Sequence, residues 1–254
     1  MPRYTAPFEF LSHRQRYAEI LAVVSRHGLG WLANQLGLST LFPLGRRRPR
    51  RVPERPEITQ AEHVRLALEE LGTTFIKLGQ ILSTREDLLP PEYITELTKL
   101  QDQVPPVPVD DIITVIQKSF AKPLEELYAA FDRKPLAAAS IGQVHRARLH
   151  SGTDVVVKVQ KPGVAQQVEE DLEILGQLAR FAQPRAPLAE SYDLIAMVDE
   201  FAWTLRSELD YVREGRNADR FRQNFRGNPA VLIPAVYWER TTHDVITLQY
   251  VEGI

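Results

Sequence analysis

Through most of the first 120 residues, apolar side chains recur every three or four positions, which is the spacing of amphipathic helices. A capping box begins one of them. Thr59 can accept a hydrogen bond from the Glu62 amide while the Glu62 side chain reaches back to the amide of Thr59. The pattern predicts helices over 13–36 with a break near Gly28, over 64–82 with a break near Gly72, over 92–100 and over 110–120.

After Phe131 the pattern becomes that of strands. Residues 136–150 are predicted to form a hairpin around a turn of small side chains, and the β-branched run Val155–Val159 follows a second turn at Gly152. Helices are then predicted over 164–181 and 192–225, and strands over 236–241 and 244–251. Helices, a hairpin, a third strand, a helix and two more strands form the order of a protein-kinase N-terminal lobe behind a helical extension.

We therefore predict an α+β fold. It is a kinase-like N-terminal lobe, with an antiparallel five-stranded sheet and an αC-type helix, preceded by a helical extension and without a C-terminal lobe. Three segments are expected: a basic helical segment with an Arg/Pro linker over 1–56, a helical extension over 57–130, and the kinase-like lobe over 131–254, which ends at the hinge.

The composition is that of an ordinary soluble globular chain, with 44% hydrophobic and 25% charged residues. The absence of cysteine excludes disulfides, thiolate nucleophiles and cysteine-ligated zinc. No apolar stretch in the sequence is long enough for a membrane-spanning helix, and the N-terminal residues lack the apolar core of a secretory signal. Integral membrane proteins and disulfide-stapled miniproteins are therefore excluded.

The net charge of −2 hides an asymmetry. Residues 1–56 contain ten arginines and three glutamates, and five of the arginines lie in 45–51. Prolines prevent a helix there, which favours a solvated linker. Contact with anionic membrane lipid is a second interpretation, and nucleic acid is a third, disfavoured because no aromatic residues alternate with these arginines.

The most informative residue is Lys158, which interrupts the valine run of the third predicted strand. An ammonium group beside an apolar core needs a compensating anion. Protein kinases place such a lysine on the third strand to contact nucleotide phosphates. The alternative is a lysine whose stem packs at a sheet edge while its charge stays in water.

The turn before it consists of small residues. Small side chains let backbone N–H groups approach a phosphate, as glycine-rich loops do, although alanines allow less backbone freedom than glycines. A tight hairpin that needs small residues for packing is the alternative. The residues concerned are Ala137, Ala138, Ala139, Ser140, Ile141, Gly142, Gln143 and Val144.

The stretch AAASIGQVHRARL, followed by VVVKVQKPGV, closely resembles the UbiB/AarF atypical kinases. These kinase-fold proteins are associated with ubiquinone biosynthesis and lipid homeostasis. The resemblance covers about residues 57–254 and implies that the alanine turn and Lys158 bind a nucleotide. It also includes Lys77, Gly79 and Gln80 of KLGQ, in which Lys77 and Gln80 share one helix face. In the family this helix packs across the kinase core and guards the substrate pocket.

A third signature lies on the long predicted helix. Glu208 and Asp210 match the family's Glu-x-Asp pair, which the resemblance makes partners of Lys77. Glu214 matches the helix glutamate that pairs with the strand lysine, here Lys158. On one continuous helix, Asp210 and Glu214 would lie on the same face. An acidic face that is simply solvated is the alternative for these carboxylates.

The last residues, Gln249, Tyr250 and Val251, resemble the kinase hinge, whose backbone would bind the adenine edge. Motifs like His-Arg-Asp and Asp-Phe-Gly do not occur in the 254 residues. The resemblance therefore places the catalytic residues and the Mg²⁺ ligands in a missing C-terminal lobe. We expect this chain to be an inactive fragment, with no catalytic or metal-binding residues of its own.

As a whole, the resemblance implies the N-terminal part of an ATP-dependent atypical kinase or ATPase that binds ATP and Mg²⁺ and supports prenyl-quinone biosynthesis or lipid homeostasis. The alternative is a pseudokinase-like scaffold that binds nucleotide and lipid without phosphoryl transfer. The expected partners are a nucleotide and either anionic membrane lipid or prenyl-quinone precursors. Nucleic acid is not expected, and no residue indicates a protein partner. The expected location is cytoplasmic, at the periphery of the inner membrane.

Overall fold

The computed structural model describes residues 13–31, 58–100 and 105–252. The predicted basic run and its linker lie outside these residues and stay predictions. The chain divides into two compact units, of which the first draws on 1–100 and 166–202 and the second on 101–165 and 203–254.

The elements alternate between the two units along the chain. In the described residues the helices are α1 (Arg14–Arg26), α2 (Gln60–Leu71), α3 (Thr73–Leu82), α4 (Pro91–Leu97), α5 (Val109–Phe120), α6 (Leu124–Leu127), α7 (Val164–Ala182), α8 (Leu194–Leu209) and α9 (Tyr211–Asn224). The strands are β1 (Ala130–Phe131), β2 (Ala137–Ala138), β3 (Gly142–Arg148), β4 (Asp154–Gln160) and β5 (Val245–Gln249). Short 3₁₀ turns lie at Pro187–Glu190 and Trp238–Arg240.

The first unit is helical, and α1 to α4 and α7 lie where the sequence predicts helices, with ends that differ by a few residues, whereas residues 32–36 of the first predicted helix lie outside the described residues. Thr59 caps α2 by accepting a hydrogen bond from the Glu62 amide at 3.1 Å, which confirms the predicted cap. Gly72 then ends α2 with a φ of +92°, a conformation that a residue with a side chain rarely adopts. None of the helices in the described stretches is long and apolar enough to cross a bilayer.

A buried ion pair joins α1 to α7 within the first unit. The Arg16 guanidinium donates to both carboxylate oxygens of Asp171, at 2.7 and 3.1 Å, and to the Leu71 carbonyl at 2.6 Å. Asp171 is fully buried. The pair is therefore satisfied on both sides, which is what a buried charge requires. Apolar side chains from α1, α2, α3 and α7 form the core of this unit, among them Tyr17, Ile20, Ala67, Phe75 and Ile174.

The second unit is built on an antiparallel sheet. Its strands follow the order β1-β3-β4-β5, and β2 pairs with the same edge of β3 as β1 does. In the register of β3 and β4, Val144 lies opposite Lys158, and on the next strand Lys158 lies opposite Ile246. The sheet thus has five strands, as predicted.

Strand alternation divides the residues of β4 between two faces. Val155, Val157 and Val159 are fully buried and pack with Ile112 and Ile116 of α5. Lys158 has the opposite orientation, and on that face it contacts Glu214 of α9. The lysine is consequently half-buried beside the valines and does not lie within their core.

The predicted strand over 236–241 is wrong. Val236 makes one isolated bridge to Leu248, and the chain then forms the 3₁₀ turn at Trp238–Arg240. The Thr247 hydroxyl donates to the Arg240 carbonyl at 2.7 Å, so that a side chain takes the place of a ladder partner. The fifth strand of the sheet is instead the two-residue β1.

The indole of Trp238 lies against α9. A Cβ added to Gly215 would lie 2.9 Å from this ring, so the glycine allows the contact. The Trp238 Nε1–H donates to Asp219 of the same helix at 2.8 Å. After its bridge to β5 the chain therefore packs back on α9 at Trp238 and does not continue along the sheet.

The prediction of a single long helix over 192–225 is also wrong, because the helix is interrupted at Asp210. Its backbone is extended, with φ −93° and ψ 92°, and its carboxylate accepts a hydrogen bond from the Arg213 amide at 3.0 Å. Aspartate is among the preferred N-cap residues, which explains why α9 begins here. The argument that Asp210 and Glu214 share a helix face does not hold, since Asp210 lies outside the helix.

Candidate nucleotide site

The predicted pair of Lys158 and Glu214 is present in the second unit. The Lys158 Nζ donates to both carboxylate oxygens of Glu214, at 3.0 and 2.8 Å. The side chains are 28% and 38% exposed. A cation from β4 and an anion from α9 thus meet at a position that solvent and a ligand can reach.

Tyr211 lies next to this ion pair and was not identified from the sequence. The Lys158 Nζ lies 4.7 Å from the centroid of its ring, and the tyrosine is fully buried. Burial, and to a smaller extent the charge of Glu214, raise the pKa of the Tyr211 phenol far above its ordinary value, so the group is neutral. Its position three residues before Glu214 in α9, one helical turn away, is the signal that could have found it.

The alanine turn connects β2 to β3 close to the same place. Ala139 donates its amide to the Gly142 carbonyl at 2.8 Å, and Lys161, just after β4, donates its amide to the Ile141 carbonyl at 3.0 Å. Ser140 and Ile141 are buried. The turn is therefore fixed by backbone hydrogen bonds both within itself and to the end of the lysine strand.

Gly142 is required by space and not by its backbone conformation, since its φ is not positive. A Cβ at this position would lie less than 3.0 Å from both the Tyr211 hydroxyl and the Val159 carbonyl. The small residue at the base of the turn thus allows the tyrosine to lie under it, which supports the packing interpretation for Gly142.

The side chain of Gln143 points to the face opposite Lys158. Its Oε1 accepts from the Val107 amide at 3.0 Å, and its Nε2 donates to His145 Nε2 at 2.9 Å. The His145 Nδ1–H donates to the Asp132 carbonyl at 2.8 Å, and burial lowers the pKa of this imidazole. The side-chain amide of Gln143 belongs to this buried network, so a ligand on the Lys158 face would contact only the backbone of Gln143.

The residues predicted as a hinge follow β5. The Gln249 amide donates to the Ala235 carbonyl at 2.8 Å, and the Tyr250 amide donates to the Asp154 carbonyl at 3.2 Å. The guanidinium of Arg146 lies 4.5 Å from the centroid of the Tyr250 ring. Val251 is 37% exposed, and no backbone hydrogen bond among the described residues uses its amide or carbonyl.

In the Lys77 motif, the glycine and the glutamine hold the helices of the first unit together. The Gln80 Nε2 donates to the Leu100 carbonyl at 3.1 Å. A Cβ on Gly79 would lie less than 3.0 Å from methyl groups of Leu100 and Leu68. These contacts give two of the three motif residues a packing function. The pairing of Lys77 with the Glu-x-Asp residues stays a prediction.

The Glu-x-Asp residues lie at the junction of α8 and α9. Glu208 is half-buried near the end of α8, and Asp210 caps α9 as described above. The structure therefore assigns Asp210 a local structural role in the second unit.

Comparison with known proteins decides the family. The model of the ABC1 atypical kinase-like domain matches residues 99–254. The chain belongs to this family. ABC1 relatives include the probable protein kinase UbiB of Pseudomonas paraeruginosa, 40% identical over 94% of this chain and 46% of that protein. They also include the chloroplastic protein ACTIVITY OF BC1 COMPLEX KINASE 8 of Arabidopsis thaliana, 44% identical over 72% of this chain and 24% of that protein.

A solved structure shows the same fold. The complex of Rv3197 with erythromycin from Mycobacterium tuberculosis is 30% identical, with a TM-score of 0.53 over 74% of this chain and 47% of that one. This supports the predicted kinase-like lobe. An uncharacterized protein of Synechocystis sp. is 48% identical over 77% of this chain and 33% of its own length. The chain thus spans less than half of each of these ABC1 relatives.

Proposed function

We propose that the second unit binds ATP, as its Mg²⁺ complex, on the face of the sheet that carries Lys158. The bidentate contact of Lys158 with Glu214 is the observation that carries this proposal. An ammonium group has three N–H donors. Two of them serve Glu214, and the third is available to a phosphate oxygen.

The surroundings of the pair fit a nucleotide. The alanine turn brings backbone close to the end of β4, where small side chains let phosphate approach N–H groups. Val251, after β5, presents polar backbone atoms at an exposed position that suits an adenine edge. Mg²⁺ would arrive with the triphosphate, and the bound ATP would supply the phosphoryl group for transfer or hydrolysis.

We further propose that the protein acts as an atypical kinase or ATPase that supports the biosynthesis of ubiquinone, a prenyl-quinone, or lipid homeostasis. The family membership and the relatives named UbiB support this role. Contact of the basic segment 45–51 with anionic lipid is a separate proposal. The residues of the site would supply the binding and positioning part of the reaction, because Lys158 provides a cation where the phosphates would lie.

The test is a titration of the ¹⁵N-labelled chain with ATP and Mg²⁺, monitored through the chemical shifts of the backbone amides. This measurement detects even weak binding. Wild type is expected to shift at the alanine turn and after β5. Lys158→Met is expected to weaken binding about ten- to hundredfold, because a hydrogen bond to a charged group contributes about 1.5–3 kcal/mol.

Lys118→Met is the matched control, since Lys118 is an exposed lysine of α5 in the same unit. It removes the same charge and is expected to leave the affinity unchanged. Equal affinity of Lys158→Met and wild type, or shifts that avoid the alanine turn, would refute the proposed site.

A further inference from the structure

The ion pair by itself does not explain how Lys158 is held in place. Both partners are long side chains, and the Glu214 side chain is 38% exposed. Exposed ion pairs typically change an equilibrium by no more than about fivefold, because water competes and two flexible side chains must be ordered. A phosphate-binding lysine needs a more rigid support.

Tyr211 has the position and the rigidity to supply that support. It is fully buried at the first position of α9, and its amide donates to the His243 carbonyl at 3.3 Å. The face of its ring lies beside the Lys158 ammonium, with 4.7 Å between Nζ and the ring centroid. The negative face of an aromatic ring attracts a cation, most strongly where water is excluded.

The other end of the same side chain supports the alanine turn. The hydroxyl lies beneath Gly142, where a side chain at position 142 would overlap it. It is buried and has no hydrogen-bond partner among the described residues. Packing against the base of the turn, and not hydrogen bonding, therefore fixes this end of the ring.

We propose that Tyr211 is a positioning residue that holds the Lys158 ammonium and the alanine turn at a fixed separation through one rigid ring. This inference rests on the proposed ATP site. It implies that the electrostatic field of the ring, and not merely its volume, sets the orientation of the lysine.

The experiment compares three variants of the ¹⁵N-labelled chain. Tyr211→Phe keeps the ring and its field, Tyr211→Leu removes both, and Tyr211→pentafluorophenylalanine keeps the size of the ring but reverses its quadrupole. The first readout is the ¹H–¹⁵N signal of the Lys158 ammonium without nucleotide, assigned by its loss in Lys158→Met. The second readout is the affinity for ATP and Mg²⁺.

Tyr128→Leu is the matched control. Tyr128 is a second buried tyrosine of the same unit, and its hydroxyl bonds Thr247 on the core side. This variant makes a comparable cavity away from Lys158 and is expected to keep the ammonium signal. Tyr211→Phe is expected to keep the signal and an affinity within about twofold of wild type. The leucine and pentafluorophenylalanine variants are expected to lose the signal and about tenfold in affinity.

Two results would overturn the inference: a pentafluorophenylalanine variant that behaves like Tyr211→Phe, or loss of the signal in Tyr128→Leu as well. The fluorinated ring keeps this decision possible if the leucine variant does not fold. Failure of the proposed function is distinguishable, since it appears as unchanged ATP affinity in Lys158→Met, whereas the ammonium signal needs no nucleotide.

Discussion

Tyr211→Phe is expected to make the second unit more stable, although the substitution removes a polar group. The phenol oxygen is buried without a hydrogen-bond partner among the described residues. Such a group loses its bonds to water on folding and costs about 1–3 kcal/mol. Phenylalanine avoids this cost and gives up only the contacts of one oxygen atom, so we expect a gain of about 1 kcal/mol.

Tyr128→Phe is the control with the opposite sign. The Thr247 hydroxyl has one hydrogen, which it donates to the Arg240 carbonyl at 2.7 Å, so the Tyr128 hydroxyl must donate to Thr247 Oγ1 at 2.9 Å. Its loss is expected to cost about 1 kcal/mol. Burial raises the pKa of Tyr128 to about 12, so the removed group is a neutral phenol at pH 7.

The assay is urea unfolding followed by far-UV circular dichroism. With a slope of about 2–3 kcal/mol per molar urea, the two variants should move the midpoint by about 0.3–0.5 M in opposite directions. A Tyr211→Phe variant that is less stable than wild type would refute the reasoning. It would mean that the hydroxyl is satisfied in solution, for example by a buried water molecule.

Three further predictions concern stability. Gly79→Ala is expected to destabilise the first unit by about 1 kcal/mol, because overpacking against two leucines costs about 1–3 kcal/mol and exceeds the gain in helix propensity. Gly176→Ala in α7 is the control. Its added methyl group meets no atom closer than 3.4 Å, so it should stabilise the same unit by about 0.5–1 kcal/mol. Thermal unfolding that shifts both variants in one direction would contradict this. Hydrogen bonds to Glu173 and Glu170 raise the pKa of His13, so the stability it contributes should be complete below about pH 6.5 and lost as the pH rises through the folded-state value. Unfolding of wild type and His13→Gln from pH 5 to 9 should show a gap that closes with rising pH, and a constant gap would speak against it. Asp210→Ala should lower the free energy of unfolding by about 1 kcal/mol and Asp210→Asn by much less, because asparagine also caps helices. Urea unfolding measures both, and equal stability of the two variants would contradict a capping role.

Much of the fold could be predicted because local patterns and tertiary packing agree. The helix that starts at the Thr59 cap and the hairpin around the alanine turn form where the sequence indicates them. The pairing of Lys158 with Glu214 was also predictable, since a strand lysine and a helix acid in this order match a known arrangement.

The differences have physical causes that no local pattern reveals. Strand alternation puts Lys158 and Val157 on opposite faces of β4, but in a run of valines it does not indicate which face packs against α5, and only the folded sheet decides this. Asp210 is tolerated within helices and preferred at their starts, and its tertiary surroundings decide between the two. The contact of Tyr211 with Gly142 joins residues 69 positions apart and needs the folded sheet to exist.

The contact between Trp238 and α9 makes this indole an intrinsic fluorescence probe of the position of the helix that carries Glu214. Its ring rests on Gly215, directly after the glutamate, and its N–H is tied to Asp219. The chain has three tryptophans, so replacing Trp31 and Trp203 by phenylalanine would leave Trp238 as the single tryptophan, which can be excited selectively over the tyrosines. Any displacement of the glutamate-bearing helix would then change the colour and lifetime of the fluorescence, without a label attached near the lysine.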